Sequence, residues 1–584
     1  MYEYHGNKGS RRQQEIKEPL TLYRAGGFLF ISCRRYQTDH LQIYSGGVRI
    51  LNVQLETTVK ETTQAAATES TASAETESTA AKSLADYDKV DTFNAYMMGA
   101  GITDEEFNNL EQAKLFEEKT GYKVNYTQIP DTDTQTAIQN AFMLKEDFQY
   151  MLVSKDTFFM LLAAGALAPI TEYVEGSEYL KDQISEVGWD LVTKDGEIYG
   201  VPQRAAKNCA ALGLAYRADW LKDYNEANPE DQIDAPSEEN GYSMCVSDFR
   251  KMLEYFNTRV AKGGHALGIG NGVTCMTEIL PAFGVYQKWM ETDGTVQFMT
   301  EQPGFEEYAE YMTGLYDDGL VYYQATSNDT GVIAAFQSEM AGVVEAAHWE
   351  AYTLETVSAP EGEDLSQYTD DNIGYISALV PDDNKGDASA VRVWSGQGYN
   401  SICVLPSYNT AEQSAAVVDW MDKKLEPELY RESVIGVEGE TYTVENGEYY
   451  PILPEFNDRM GYADKLISGN REEDNSKYWL ARTRKTAAQD KLFSTINYNV
   501  DNTGIKNPVD MMSTNDAYDN YFSKANTDVS DQLVLMLFNS AEAFDLQKVH
   551  DIWVADNGDD ITNSITEWYN SWGSKDIYNE VKAR

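Results

Sequence analysis

The segment "KVDTFNAYMMGAGITDEEFNNLEQAKLFEEKTGYKVNYTQI", Lys89–Ile129, decides the fold. Its opening alternates, with Phe93, Ala95 and Met97 on one side, which predicts a strand over Lys89–Met98. "GAG", Gly99–Gly101, reads as a turn. Thr103 and Glu106 have the spacing of a capping box, and Phe107, Leu110, Ala113 and Phe116 form one helical stripe behind it. Gly121 closes that helix, and Tyr122, Val124 and Tyr126 alternate as a second strand. Strand, glycine turn, helix and strand within this span form a βαβ unit, which implies a parallel sheet covered by helices.

The same alternation continues. "YMLVS" (Tyr150–Ser154) predicts a short buried strand, followed by a helix over Phe158–Leu167. The run "FFMLLAAGALAPI" (Phe158–Ile170) falls short of the ~20 residues needed to cross a bilayer, and Gly165 and Pro169 interrupt it. "GEIYGVP" (Gly196–Pro202) reads as hairpin-like, and "AALGLAYRADWL" (Ala210–Leu221) as a strand entering a helix. From about Asp248 onward helices are expected to dominate, ending in amphipathic segments around Leu533–Phe544 and Ile561–Val581. No internal repeat with a solenoid period is present.

The 584 residues are 42% hydrophobic and 12% aromatic, a globular composition, and carry a net charge of −49. Such a surface repels nucleic acid and anionic lipid, so no nucleic-acid partner is expected. The charge is unevenly distributed. Residues 1–60 carry nine Lys or Arg against five acids, whereas the remainder carries 37 against 90. Within that basic start, "GGFLFISC" (Gly26–Cys33), preceded by Arg24, has the outline of a lipoprotein signal with Cys33 as lipid anchor. The other reading of this stretch is a misread beginning of the gene. "ETTQAAATESTASAETESTAAKS", Glu61–Ser83, is a polar, low-complexity linker that has too little apolar surface to offset the entropy of ordering.

Motifs for chemistry are sparse. The five histidines form no HExxH or paired spacing, and the five cysteines no CxxC. Neither a GxSxG elbow nor a phosphate-binding GxxxxGK[ST] loop occurs. "GIGNG" (Gly268–Gly272) follows no clear strand, and "DDNKGD" (Asp382–Asp387) and "DNGDD" (Asp556–Asp560) read as turns. No catalytic residue, cofactor or metal is expected. What the chain does have is 39 tyrosines. Aromatic faces stack on the C–H face of a sugar ring while neighbouring Asp, Asn and Gln take its hydroxyls.

Six stretches then fall in a telling order: "FNAYMMGAG…LEQAKLFEEKTGYKVNY", "YMLVSKDTFFMLLAAGALAPIT", "DGEIYGVPQ", "LGLAYRADWL", "FQSEMAGVVEAAHW" and "YNSICVLPSYNTAEQSAAVVDWM". Together they resemble the extracellular solute-binding proteins of ABC importers, specifically the carbohydrate-binding branch that includes maltose-binding protein. The chain departs from that pattern where "DFQYM" replaces "PDI" and Ala347-His348 replaces a Gly before Trp349. It also resembles the long, lipid-anchored relatives of Gram-positive bacteria.

The resemblance implies an α/β fold of two lobes, each a mostly parallel sheet with helices, joined by hinge crossovers. The first lobe would span 86–211 plus about 396–490, and the second 212–395 plus about 491–584, behind the atypical segment 1–60 and the linker 61–85. It implies ligand contacts at Met98 and Gly99, Asp156, Gln203 and Arg204, Trp349 as a stacking ring, and Trp394, Gln397 and Tyr399. It further implies a monomer that binds a small-molecule carbohydrate and meets membrane permease subunits at the extracellular face. Three other readings stay open from the residues: a peptide or other polar-solute binder of the same fold, a polysaccharide-active enzyme, and a surface adhesion module.

Overall fold

The computed structural model describes residues 83–130, 134–204, 209–270, 275–323, 329–396, 398–538 and 543–573, together with Thr21–Ala25 and Phe28–Ser32. Cys33 and the linker up to residue 82 lie outside the described residues. The chain forms two compact units, Met1–Ala80 and Ala81–Arg584. In the first, Thr21–Ala25 and Phe28–Ser32 pair antiparallel.

The second unit carries ten strands in two five-stranded sheets. In chain order they are β1 Thr92–Met98, β2 Lys123–Ile129, β3 Tyr150–Ser154, β4 Val201–Arg204, β5 Leu212–Arg217, β6 Leu267–Ile269, β7 Val321–Tyr323, β8 Val343–Ala347, β9 Ile373–Ile376 and β10 Tyr399–Val404. The first sheet runs β2-β1-β3-β10-β4 and the second β7-β6-β8-β5-β9. Both follow one plan. Three strands are parallel, and the fourth position is antiparallel to both of its neighbours. That fourth strand is in each case the first one made after the chain changes lobe.

Local chemistry explains the first lobe. β1 alternates as expected, burying Phe93, Ala95 and Met97, while Tyr96 on its other face stacks on Phe148 with centroids 4.7 Å apart. Both faces of the sheet are therefore covered, as parallel strands require. Thr103 and Glu106 form the capping box. The single helix expected behind them is two, Asp104–Asn108 and Glu111–Thr120. The break follows from Asn108, whose amide turns aside to bond both the N–H and the carbonyl of Tyr126 on β2. Gly121, at φ 76°, ends the second helix in the left-handed conformation. Helices Ala411–Lys423, Pro427–Ile435 and Glu472–Thr483 complete this lobe, with Trp420, Tyr430 and Tyr478 in its core.

Helices do dominate after Asp248, but β6 to β9 also join β5 there in a five-stranded sheet that the sequence did not announce. "GIGNG" likewise begins inside a strand, β6. These strands are only three to five residues long, and almost every position is buried. A strand buried on both faces shows no alternation to read. Helices Asp516–Leu537, Leu546–Ala555 and Gly558–Ser571 close the lobe around a hairpin, Trp289–Thr292 with Thr295–Phe298. Phe298 and Trp553 stack there at 4.8 Å, with Trp289 and Phe522 against them.

The chain passes between the lobes from β4 to β5, from Val393–Ser395 to β10, and at 484–486, after which Ala487–Ile496 packs in the second lobe. The first two are tied together by the amide of Gly396, which donates to the carbonyl of Cys209 at 3.1 Å. Strand Val393–Ser395, leading into the second, pairs in parallel with Gly504–Lys506. The C-terminal helices also reach the first lobe, where Trp572 Nε1 donates to Asp190 Oδ2 at 3.0 Å.

Candidate functional site

Two neighbouring cavities that share Leu212 lie in the second lobe, the larger one reaching the crossovers. Open α/β sheets bind ligands beyond the carboxyl ends of their parallel strands. The smaller cavity, about 70 Å³, sits at that edge of the second sheet. It is formed by Gly268 and Ile269 of β6, Glu345 and Ala347 of β8, and Trp349 and Glu350 just beyond. The larger, about 350 Å³, lies against the hinge. Cys209–Leu212 and Val393–Gly396 supply its hinge wall; Thr277, Glu278, Gln287 and Lys288 the second lobe's wall; and Asn507 and Asp510 the remainder. Its size is at the low end for a ligand pocket.

The side chains are unevenly satisfied. Gln287 is fully engaged: Nε2 donates to the carbonyls of Ile505 and Ser395, and Oε1 accepts from the Lys288 amide. Thr277 Oγ1 donates to Glu278 Oε1 at 2.8 Å, but Glu278 Oε2 and Ser395 Oγ have no partner although both residues are buried. Burial pushes the Glu278 carboxyl up from its ordinary range and the Lys288 amine down, with Asp510 and Asp156 acting in the opposite sense on the amine. Burial also raises the Cys209 thiol to about 12, leaving it an inert wall. His348, beside Trp349 with ring centroids 5.0 Å apart, is lowered to about 4 by burial and by the charge of Lys485.

Each residue expected to touch ligand has a definite place. Trp349 is 59% exposed and flanks the smaller cavity. Trp394 lines the larger one, its Nε1 directed at the carbonyl of Val285 at 3.5 Å. Asp156 is exposed in the first turn of helix Lys155–Ala163, close enough for its charge to act on Lys288. Met98 and Gly99 end β1, outside both cavities. Gln203, on β4, donates to the carbonyl of Asp464 at 3.5 Å while its Oε1 is buried without a partner. Arg204 ends β4, opposite Tyr399. Tyr399 is buried and turned away from both cavities, its hydroxyl bonded to Ser185 at 2.8 Å and to Glu472. Gln397 lies outside the described residues.

Sequence reasoning missed Glu278, Lys288, Ser395, Asn507 and Asp510. Glu278 and Lys288 leave a trace as lone charges in the apolar runs "CMTEILPAF" and "VYQKWM". The other three have no such signal.

A family model described as bacterial extracellular solute-binding protein matches residues 111–434. An uncharacterized protein encoded in the butB 5′ region of Niallia circulans is 26% identical over 268 residues, 45% of this chain and 98% of that protein. Among solved structures, an HMO-binding ABC-transporter-associated solute-binding protein from Bifidobacterium longum infantis superposes with a TM-score of 0.56 at 13% identity, covering 83% of this chain and 99% of that one. An alginate-binding protein gives 0.55 at 14% identity, over 84% and 100%. An ABC-transporter substrate-binding protein of S. pneumoniae, in complex with kestose, gives 0.51 at 14%, over 84% and 98%. At these identities the likeness is one of fold.

Proposed function

The chain belongs to the bacterial extracellular solute-binding proteins, and from that premise we propose that it captures a carbohydrate, an oligosaccharide, between its lobes and delivers it unchanged to the permease of an ABC importer. The observation that carries this reading is Trp349, a large ring 59% exposed beside a small cavity at the carboxyl edge of the second sheet. An indole left in water at such a place offers a flat apolar face to a sugar ring. Trp394 gives the larger cavity a second ring, and Glu278, Ser395, Asn507 and Asp510 surround it with hydrogen-bonding groups. The fold's neighbours, HMO-binding, alginate-binding and kestose-bound, point to the same ligand class.

The protein works as a monomer at the outer face of the membrane, tethered through the linker 61–85 to a lipidated Cys33. Mass spectrometry of the native N-terminus tests the tether; an unmodified Cys33 refutes it.

Thermal shift across a panel of oligosaccharides and peptides tests the function. A rise of several degrees with one sugar class and no product is expected. A rise with peptides alone, or release of product, overturns the reading.

A further inference from the structure

We propose that the C-terminal segment is a strap that holds the two lobes at one fixed angle, so that the cleft is set before any solute arrives. This goes beyond the carbohydrate reading and does not depend on which solute binds.

The strap begins as a rigid turn of the second lobe. Gln287 Nε2 donates to the carbonyl of Ile505 at 2.8 Å, in the strand Gly504–Lys506. Pro508 then fixes the first position of the short helix Pro508–Met511. Asn507 caps that helix. Its Oδ1 accepts from the amide of Val509 and its Nδ2 donates to Asp510 Oδ1, both at 3.1 Å. The turn packs on the hairpin strand Trp289–Thr292 of the second lobe, and also on helix Glu186–Val192 of the first. Val509, Met511 and Met512 are buried there, in one continuous core with Val187, Leu191 and Val192.

Two polar ties accompany this apolar seam. Lys155, at the start of a first-lobe helix, donates to the backbone oxygen of Asp510 at 3.4 Å and faces its carboxylate at 3.5 Å. Further along the chain, Trp572 Nε1 donates to Asp190 Oδ2 of helix Glu186–Val192 at 3.0 Å. Trp572 is buried and stacks on Trp568 at 5.1 Å. It follows helix Gly558–Ser571, which is fixed to the second-lobe hairpin where the amide of Val296 donates to Thr566 Oγ1 at 3.0 Å. Lys194 of the first lobe is also near enough for its charge to act on Asp519 in helix Asp516–Leu537.

A hinge turns through the torsions of a few backbone residues. Here a change of lobe angle must also slide the turn Pro508–Met511 against a neighbouring helix and disturb the bond from Trp572 to Asp190. Close-packed side chains resist such sliding. Asn507 and Asp510 of the same segment wall the larger, hinge-end cavity. The strap therefore sets the shape of that cavity together with the angle between the lobes.

Double electron–electron resonance on the full chain without ligand tests this. Spin labels go on genetically encoded ketone side chains at Met143 and Val357, exposed positions in the first and second lobe, so that the native cysteines are untouched. The wild-type protein is expected to give one narrow distance. A broad or two-peaked distribution overturns the proposal. The triple variant Lys155→Met, Met511→Ala, Trp572→Ala is expected to broaden or shift the distribution by more than about 2 Å, the scale of a domain rearrangement. Should that variant fail to fold, Lys155→Met combined with Trp572→Phe cuts both polar ties, keeps the apolar seam and is expected to broaden the distribution as well. An unchanged distribution in the folded variant overturns the proposal.

Discussion

Lys155 Nζ stands 3.5 Å from Asp510 Oδ1 and 3.4 Å from the same residue's backbone oxygen. This joins the first turn of a helix in the first lobe to the segment Pro508–Met511 that walls the hinge-end cavity. Both side chains keep some contact with water, so the ion pair adds little to fold stability, less than about 1 kcal/mol. Its effect is on the relation between lobes. Lys155→Met should leave the denaturation midpoint nearly unchanged. Small-angle scattering should show a larger radius of gyration without ligand and the wild-type value with it.

Trp349→Ala should weaken sugar binding at least tenfold, about 1.4 kcal/mol, and leave the ligand-free melting temperature within a degree or two. Calorimetry and thermal melts read the two effects separately. A ring 59% exposed contributes little packing, so a large drop in the ligand-free melting temperature would show a core role instead.

Tyr399→Phe removes the hydroxyl that meets Ser185 and the buried Glu472. Leaving buried acceptors short of a partner costs about 1–3 kcal/mol. Urea denaturation should show that loss.

His348 sets a pH window. Burial lowers it to about 4 from an ordinary 6.5, so between those values the unfolded chain binds a proton that the folded chain does not. Stability from this source is complete above pH 6.5 and disappears as pH falls towards 4. Melts from pH 4 to 7 should show a slope that flattens in His348→Phe, whose ring suits the edge-to-face contacts with Trp349 and Phe493.

Trp553→Ala empties a fully buried site between Phe298 and Trp289. A loss of about 3–5 kcal/mol is expected on chemical denaturation. A loss below about 1 kcal/mol would mean that the C-terminal helices are appended to the second lobe and are not part of its core.

The first βαβ unit was readable because β1 alternates and Thr103 and Glu106 announce a helix start. The break at Asn108 was not, since it depends on a bond to Tyr126 on another strand. In the second lobe, β6 to β9 are short and buried on both faces, so periodicity had nothing to register there, and the order of family-like motifs carried the fold instead. The site divides in the same way. Trp349 was legible from its place behind β8. Ser395, Asn507 and Asp510 were not, because the cavity they line is assembled from segments over a hundred residues apart. Tyr399 has the residue type of a ligand contact, but its hydroxyl serves the join between β10 and the helices Glu186–Val192 and Glu472–Thr483.

The position of β10 has a consequence for how the chain is made. It lies between β3 and β4, which have no hydrogen bonds to one another, yet it emerges from the ribosome about 195 residues after β4. β5, the first strand of the second lobe, likewise waits for β8 and β9 before either of its edges is paired. Neither sheet can be finished until its last strand, β9 or β10, has been synthesised more than 370 residues into the chain, so the nascent chain stays open and threadable late into translation. For a member of an extracellular family, whose chain has to cross a membrane before it works, that delay keeps it in a form an export channel can accept.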